Sequence, residues 1–262
     1  MAEPGPRLRL TASLAGDASL PALVLGPSIG TSSGVWEPQV PALAQHFRLL
    51  RFEYPGHGGS GPPPEGPYQI GDLGRGVLAL LDEHGIDRAA YCGISLGGMV
   101  GMWLAAHAPS RISALGLCCT SAYLPPAAGW RDRASVVRAQ GMASIAAAVP
   151  ARWFTPPFTG SDPGTVAGIV AMLHGTVPEG YAGCCEAIAA MDLRPVLDTV
   201  LAPTLVIAGS EDPATPPGHG AVIARLIPGA RLRVIRGAAH LANVQAPAEV
   251  TAALADHLLR KR

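Results

Sequence analysis

Ser95 sits among glycines in "YCGISLGGMVG", residues 91–101, and Gly93-Ile94-Ser95-Leu96-Gly97 has the spacing G-x-S-x-G. An apolar run precedes it and a helical pattern follows it, the strand-to-helix setting in which such a serine is lifted onto a sharp, strained turn. Side chains larger than hydrogen two positions to either side would collide there, which accounts for glycine in spite of its entropic cost. The turn would also set the Ser95 hydroxyl at a helix N-terminus, with the Leu96 N–H aimed at developing negative charge. The chemistry this suits is acyl transfer through a nucleophilic serine. The plainer alternative is a glycine-rich turn whose serine merely caps the helix.

A serine hydroxyl is a weak nucleophile and needs a base, itself oriented by an acid. Of eight histidines, His240 in "RGAAHLAN" follows the last strand-like run and precedes the C-terminal helix, with His57 and His219 as competitors. The chain order nucleophile, acid, histidine favours His240. The acid is expected at Asp212 in "TLVIAGSEDPATP", just past the apolar run 204–208, with Glu211 beside it as an alternative. A purely local turn or cap role is the other reading of that aspartate. After the run ending near Cys119, Thr120 and Ser121 offer no carboxylate. A second oxyanion donor is expected from the loop after the third strand of the sheet, "LGPSIGTSSGVW", residues 25–36, with the Ile29 N–H as the candidate.

One competing motif is set aside. "GHGGSG", residues 56–61, matches G-x-G-x-x-G after a strand-like run, but Pro62, Pro63 and Pro64 follow where a helix would have to receive a pyrophosphate.

These residues need a scaffold, and the rest of the chain describes one. Apolar runs at 22–25, 48–53, 89–92, 113–119, 204–208 and 232–235 are bounded by turn residues, and most lack a polar face, as in strands covered on both sides. Helical patterns over 69–84, 96–107, 218–226 and 246–259 alternate with them. The expected fold is α/β, a mostly parallel sheet with helices on both faces. The alternation lapses over 121–195, an alanine-rich stretch of short helices read as a helical cap between core segments 1–120 and 196–262. Such an insertion would lie over the C-terminal edge of the sheet, where open α/β folds bind ligands.

Composition narrows the class further. The 262 residues carry 19 basic and 19 acidic side chains, so no charge excess points to nucleic acid. The first ten residues, "MAEPGPRLRL", lack a signal-peptide apolar run, and no stretch reaches membrane-span length, so a cytoplasmic protein without membrane or nucleic-acid partners is expected. Five cysteines without C-x-x-C spacing indicate neither a disulfide framework nor a zinc site and read as buried apolar residues.

Taken together, "PSIGT", "GHGGS", "GISLGG", "PTLVIAGSED" and "AAHLANVQAP" resemble the α/β-hydrolase superfamily over nearly the whole chain. Within it, "SIGTSSGVWEPQVPAL", "VRAQGMASIAAAVPARWFTPPF" and "PEGYAGCCEAIAAMDLR" are most similar to the 3-oxoadipate enol-lactonases of the β-ketoadipate pathway of aromatic catabolism. Glu53, Tyr54 and Pro55 stand where relatives commonly have Asp-x-Arg. The resemblance implies a serine hydrolase acting without metal or organic cofactor on a small lactone that bears a carboxylate. It further implies cap residues that meet that anion, for which Trp130, Arg133, Arg138, Arg152 and Trp153 are the candidates. A carboxylesterase or C–C bond hydrolase on the same triad is the nearest alternative. A noncatalytic small-molecule receptor, which would bind tightly and survive loss of Ser95, is the alternative of another class.

Overall fold

The computed structural model describes residues 8–260. Seven strands, β1 (Thr11–Ala15), β2 (Ala22–Gly26), β3 (Arg48–Glu53), β4 (Ala89–Ile94), β5 (Ile112–Cys118), β6 (Thr204–Gly209) and β7 (Arg231–Ile235), form one sheet in the order β1-β3-β2-β4-β5-β6-β7. β1 runs antiparallel to β3; every other pairing is parallel. Parallel neighbours require crossovers, and the helices α1 (Val40–Leu43), α2 (Ile70–Glu83), α3 (Leu96–His107), α10 (Pro217–Leu226), α11 (Ala242–Gln245) and α12 (Pro247–Leu258) lie in the connecting and C-terminal segments.

The central strands owe their place to composition. β4, "AAYCGI", and β6, "TLVIAG", are buried at every residue, so they need apolar side chains on both faces. The edges differ. β1, "TASLA", has only exposed and half-buried residues and no apolar run to reveal it. β7 has Arg231, Leu232, Arg233 and Val234 exposed and only Ile235 buried, so the expectation of two-sided cover fails at this edge; its arginines suit a strand end left open to water.

Helix starts follow local chemistry. Gln69 and Asp72 form a reciprocal cap on α2, with the Gln69 N–H donating to Asp72 Oδ2 at 2.8 Å. α3, "LGGMVGMWLAAH", is apolar almost all round and accordingly buried between the sheet and α2. The C-terminal pattern read over 246–259 is the single helix α12, opened by Pro247; the short α11 precedes that range and stays separate because Pro247 has no N–H with which to continue it.

Between β5 and β6 the chain makes six α-helices, a 3-10 helix over Arg194–Thr199 and no named strand: α4 (Ala127–Gln140), α5 (Ala143–Ala146), α6 (Pro150–Trp153), α7 (Pro156–Ser161), α8 (Pro163–His174) and α9 (Pro178–Ala189). α4 packs along α9. Arg138 on α4 locks that pairing, donating to Glu179 Oε1 and Oε2 at 2.6 and 2.7 Å and to Glu186 Oε1 at 2.5 Å. All five cysteines are buried and free, and burial pushes the Cys119 thiol up to about 12. Among the described residues no helix is long and apolar enough to cross a membrane.

Candidate active site

Ser95 occupies the turn from β4 into α3 with φ 55° and ψ −116°, a left-handed conformation unusual for a residue with a side chain. Holding it costs about 1–3 kcal/mol, and the surroundings enforce it. Its N–H donates to Cys118 O at 2.9 Å, and its carbonyl accepts from Thr120 Oγ1 at 2.7 Å and from Met99 N at 3.1 Å. Two glycines make the turn sterically possible. A Cβ on Gly93 would fall on the Gly97 carbonyl, and one on Gly97 would fall on the Gly26 carbonyl. Gly97→Ala is therefore expected to destabilise the protein by about 2–3 kcal/mol through overpacking against backbone. Thermal unfolding checks this, with Tm lowered by about 5–10 °C.

His240 lies in the turn between β7 and α11. Its Nε2 is 2.9 Å from Ser95 Oγ and its Nδ1 is 2.8 Å from Asp212 Oδ2. All three side chains are buried. Asp212 follows β6, and its carboxylate is saturated with donors. Oδ1 accepts from Ala214 N at 2.8 Å and Thr215 N at 2.9 Å, and Oδ2 accepts from Thr215 Oγ1 at 2.8 Å. Burial pushes the Asp212 carboxyl upward, but the charge and hydrogen bond of His240 and the Thr215 bonds outweigh it and hold the group below the usual aspartate range. Glu211, the alternative acid, is exposed, and His240 Nδ1 faces its neighbour instead.

Among the described residues, neither competing histidine is bonded to Ser95 or Asp212. His57 is fully buried with Nδ1 against Pro55 O at 3.1 Å, and burial pushes it down to about 4, so it is a neutral packing residue edge-on to Tyr54. His219 is in the same cavity as Ser95, with Nδ1 2.8 Å from Ser121 Oγ. Glu53 caps the turn after β2: both its oxygens accept from Ser33 N, at 2.9 and 3.0 Å. Burial raises its carboxyl, opposed by the Ser33 bonds and Arg51.

The expected oxyanion donors sit on adjoining backbone. Ile29 lies in the loop after β2, second along the chain and third across the sheet, and lines the cavity. Leu96 is the first residue of α3. The two segments are stitched together by Gly97 N donating to Pro27 O at 3.0 Å, and Trp36 Nε1 donates to Gly26 O at 2.9 Å behind them.

Above Ser95 and His240 opens a cavity of about 420 Å³, walled on one side by 213–216 and His219 and on the other by the inserted helices. Trp130, Arg133, Arg152 and Trp153 all line it. Arg133 stacks on Trp130, its guanidinium carbon 5.0 Å from the ring centroid, and among the described residues no carboxylate pairs with it. Arg152 is exposed at the rim, and Trp153 is buried. Arg138 corrects the expectation: its guanidinium is engaged by Glu179 and Glu186 and is not part of the cavity wall, so it has no free edge for a ligand. Tyr181, Ile188 and Thr215 line the cavity without having been singled out in the sequence. For Thr215 the signal was there, a hydroxyl three residues after a turn aspartate.

One further contact joins the inserted helices to the histidine turn. Gln245 Nε2 donates to Thr155 Oγ1 at 2.6 Å and Gly237 O at 2.8 Å, its Oε1 accepts from Ala239 N at 3.1 Å, and Leu241 N donates to Trp153 O at 3.0 Å.

Comparison with known proteins identifies the family and the fold. The family model described as "alpha/beta hydrolase fold" matches residues 21–141 and 170–247. The chain is 40% identical over 232 residues to 3-oxoadipate enol-lactonase 2 of Acinetobacter baylyi, covering 88% of this chain and 86% of that protein. It is 34% identical over 238 residues to 3-oxoadipate enol-lactonase 1 of the same organism, covering 91% and 88%. Among solved structures, the enol-lactonase from Burkholderia xenovorans LB400 superposes with a TM-score of 0.94 at 39% identity, covering 98% of this chain and 100% of that one.

Proposed function

The chain belongs to the α/β-hydrolase family, and from that premise we propose that it opens a small, carboxylate-bearing enol-lactone, 3-oxoadipate enol-lactone, to 3-oxoadipate. The observation that carries the reading is the hydrogen-bonded chain Ser95–His240–Asp212 opening into a cavity in which Arg133 has no carboxylate partner among the described residues.

His240 Nε2 takes the proton of Ser95 as Oγ attacks the lactone carbonyl. Asp212 keeps the Nδ1–H tautomer and balances the imidazolium that forms. The N–H groups of Ile29 and Leu96 receive the oxyanion, each such donor lowering the barrier by about 3 kcal/mol. Collapse breaks the ring C–O bond, and His240 returns the proton to the leaving oxygen, giving an enol. Water, deprotonated by the now neutral His240, then frees the acyl group from Ser95.

The substrate's carboxylate is placed on Arg133, with Trp130 fixing the guanidinium plane and Arg152 at the rim adding charge. Two charge-assisted hydrogen bonds are worth about 3 kcal/mol. Arg133→Met is expected to raise KM for the lactone about 100-fold at nearly unchanged kcat, the mark of lost uniform binding. Cleavage of an uncharged p-nitrophenyl ester should change little, and steady-state kinetics on both substrates separates the two effects.

The direct test follows lactone loss by ultraviolet absorbance beside p-nitrophenyl acetate. Rapid lactone turnover supports the assignment. Ester cleavage without lactone turnover would make the protein a carboxylesterase on the same triad, and binding without turnover of either would make it a receptor.

A further inference from the structure

In an ordinary ester the leaving group departs; in a lactone it remains tethered. After ring opening the enol and the acyl ester on Ser95 are two ends of one molecule, so the enol stays in the cavity for the lifetime of the acyl-enzyme. Ketonisation then has an enzyme environment available, and the question is which group moves the proton.

His240 is committed elsewhere. Its Nδ1 is bonded to Asp212 and its Nε2 is aimed at Ser95 Oγ, where it must activate the hydrolytic water. Among the other residues lining the cavity, Arg133 and Arg152 stay charged, and burial pushes the Tyr181 hydroxyl far above neutrality. His219 is the remaining lining side chain of a type that exchanges protons near neutral pH.

Its tautomer follows from its partner. Ser121 has a single hydroxyl proton, and Oγ donates it to Tyr123 O at 2.7 Å while accepting from Tyr123 N at 3.2 Å. Toward His219 Nδ1, 2.8 Å away, Ser121 can then only accept. Nδ1 therefore carries the hydrogen, and the lone pair of the neutral ring is on Nε2, the nitrogen not held by Ser121.

We propose that His219 is a second proton-transfer residue of this site and gives the enzyme a tautomerase step. Resting on the enol-lactone reading, it acts on the tethered enol. Nε2 removes the enol O–H proton, and the O–H electron pair becomes the carbonyl π bond. The carbon–carbon π pair takes the same proton back from Nε2 at the vinylic carbon, forming the new C–H bond. The ring returns neutral and no other reactant is consumed. Ser121 is a positioning residue that fixes the tautomer.

The experiment is stopped-flow hydrolysis of the lactone with triiodide present, which captures free enol, read as enol trapped per lactone consumed. That ratio does not depend on how fast a variant opens the ring. Wild type should release ketone with little trapping. His219→Asn keeps an N–H donor toward Ser121 but has no base, and slowing on-enzyme ketonisation by about 100-fold or more should bring the ratio close to one enol per lactone. Ser121→Ala, which frees the tautomer, should give an intermediate ratio. Equal ratios in wild type and His219→Asn overturn the inference while leaving the lactonase reading intact. No lactone loss in wild type overturns that reading, and the inference with it.

Discussion

Ser95→Ala is expected to lower kcat on the lactone by about a million-fold, the order seen when the nucleophile of a serine triad is removed. What should remain is the smaller enhancement that binding and oxyanion stabilisation provide on their own. The fold should be untouched, because the main contacts holding the turn use the Ser95 backbone N–H and carbonyl, not its hydroxyl. Relief of the side chain from φ 55° is not available to alanine either, so Tm should move by little. Burst kinetics with a p-nitrophenyl ester checks the chemistry: the acyl-enzyme burst must vanish with the serine. A variant retaining more than about a hundredth of the activity would place the nucleophile elsewhere and dismantle the mechanism.

Asp212→Asn is the second large effect, about 10⁴-fold in kcat at neutral pH. The substituted amide would present an N–H group toward His240 Nδ1 and favour the tautomer whose Nε2 carries the proton, so the ring could no longer accept one from Ser95. The surrounding donors sharpen this. Oδ1 already accepts from the Ala214 and Thr215 N–H groups, which holds the asparagine oxygen on that side and turns its NH2 toward the histidine. Stability offers an independent check. Because the folded Asp212 carboxyl titrates below the ordinary aspartate range, its contribution is complete above about pH 4 and is lost as pH falls through the lower folded value. The gap in unfolding free energy between wild type and Asp212→Asn should therefore narrow on acidification, measured by denaturant melts across that range.

The hydrogen-bonded set of Ser95, His240 and Asp212 was legible in the sequence because each member sits where a strand meets a turn, and strand ends can be read from apolar runs. The glycines flanking Ser95 further narrow the options, since backbone-to-backbone contact excludes any side chain at Gly93 and Gly97. β1 escaped notice for the opposite reason: an edge strand with exposed and half-buried residues leaves no apolar signature. Arg138 and Arg133 are five positions apart on one helix, and sequence alone cannot say that one turns toward Glu179 and Glu186 while the other turns toward Trp130 and Tyr181. That distinction belongs to the packing of α4 on α9, which forms only with the tertiary fold. The Ser121–His219 pair was likewise invisible, because its importance lies in a contact across 98 residues of chain that no local pattern encodes.

The Gln245 bridge has a practical corollary for redesign. Trp153 and Thr155 belong to the inserted segment, Gly237 and Leu241 to the turn bearing His240, and hydrogen bonds through Gln245 and Leu241 splice the two. Exchanging the insertion for one from a relative, to alter the acyl or lactone accepted, is thus not a cut-and-paste at its two chain ends. A chimera that imports a foreign 153–155 segment against this Gln245 would leave the histidine turn without its brace, and its lost turnover would be misread as poor specificity. Recombination boundaries should keep 153–155 and 237–245 from the same parent.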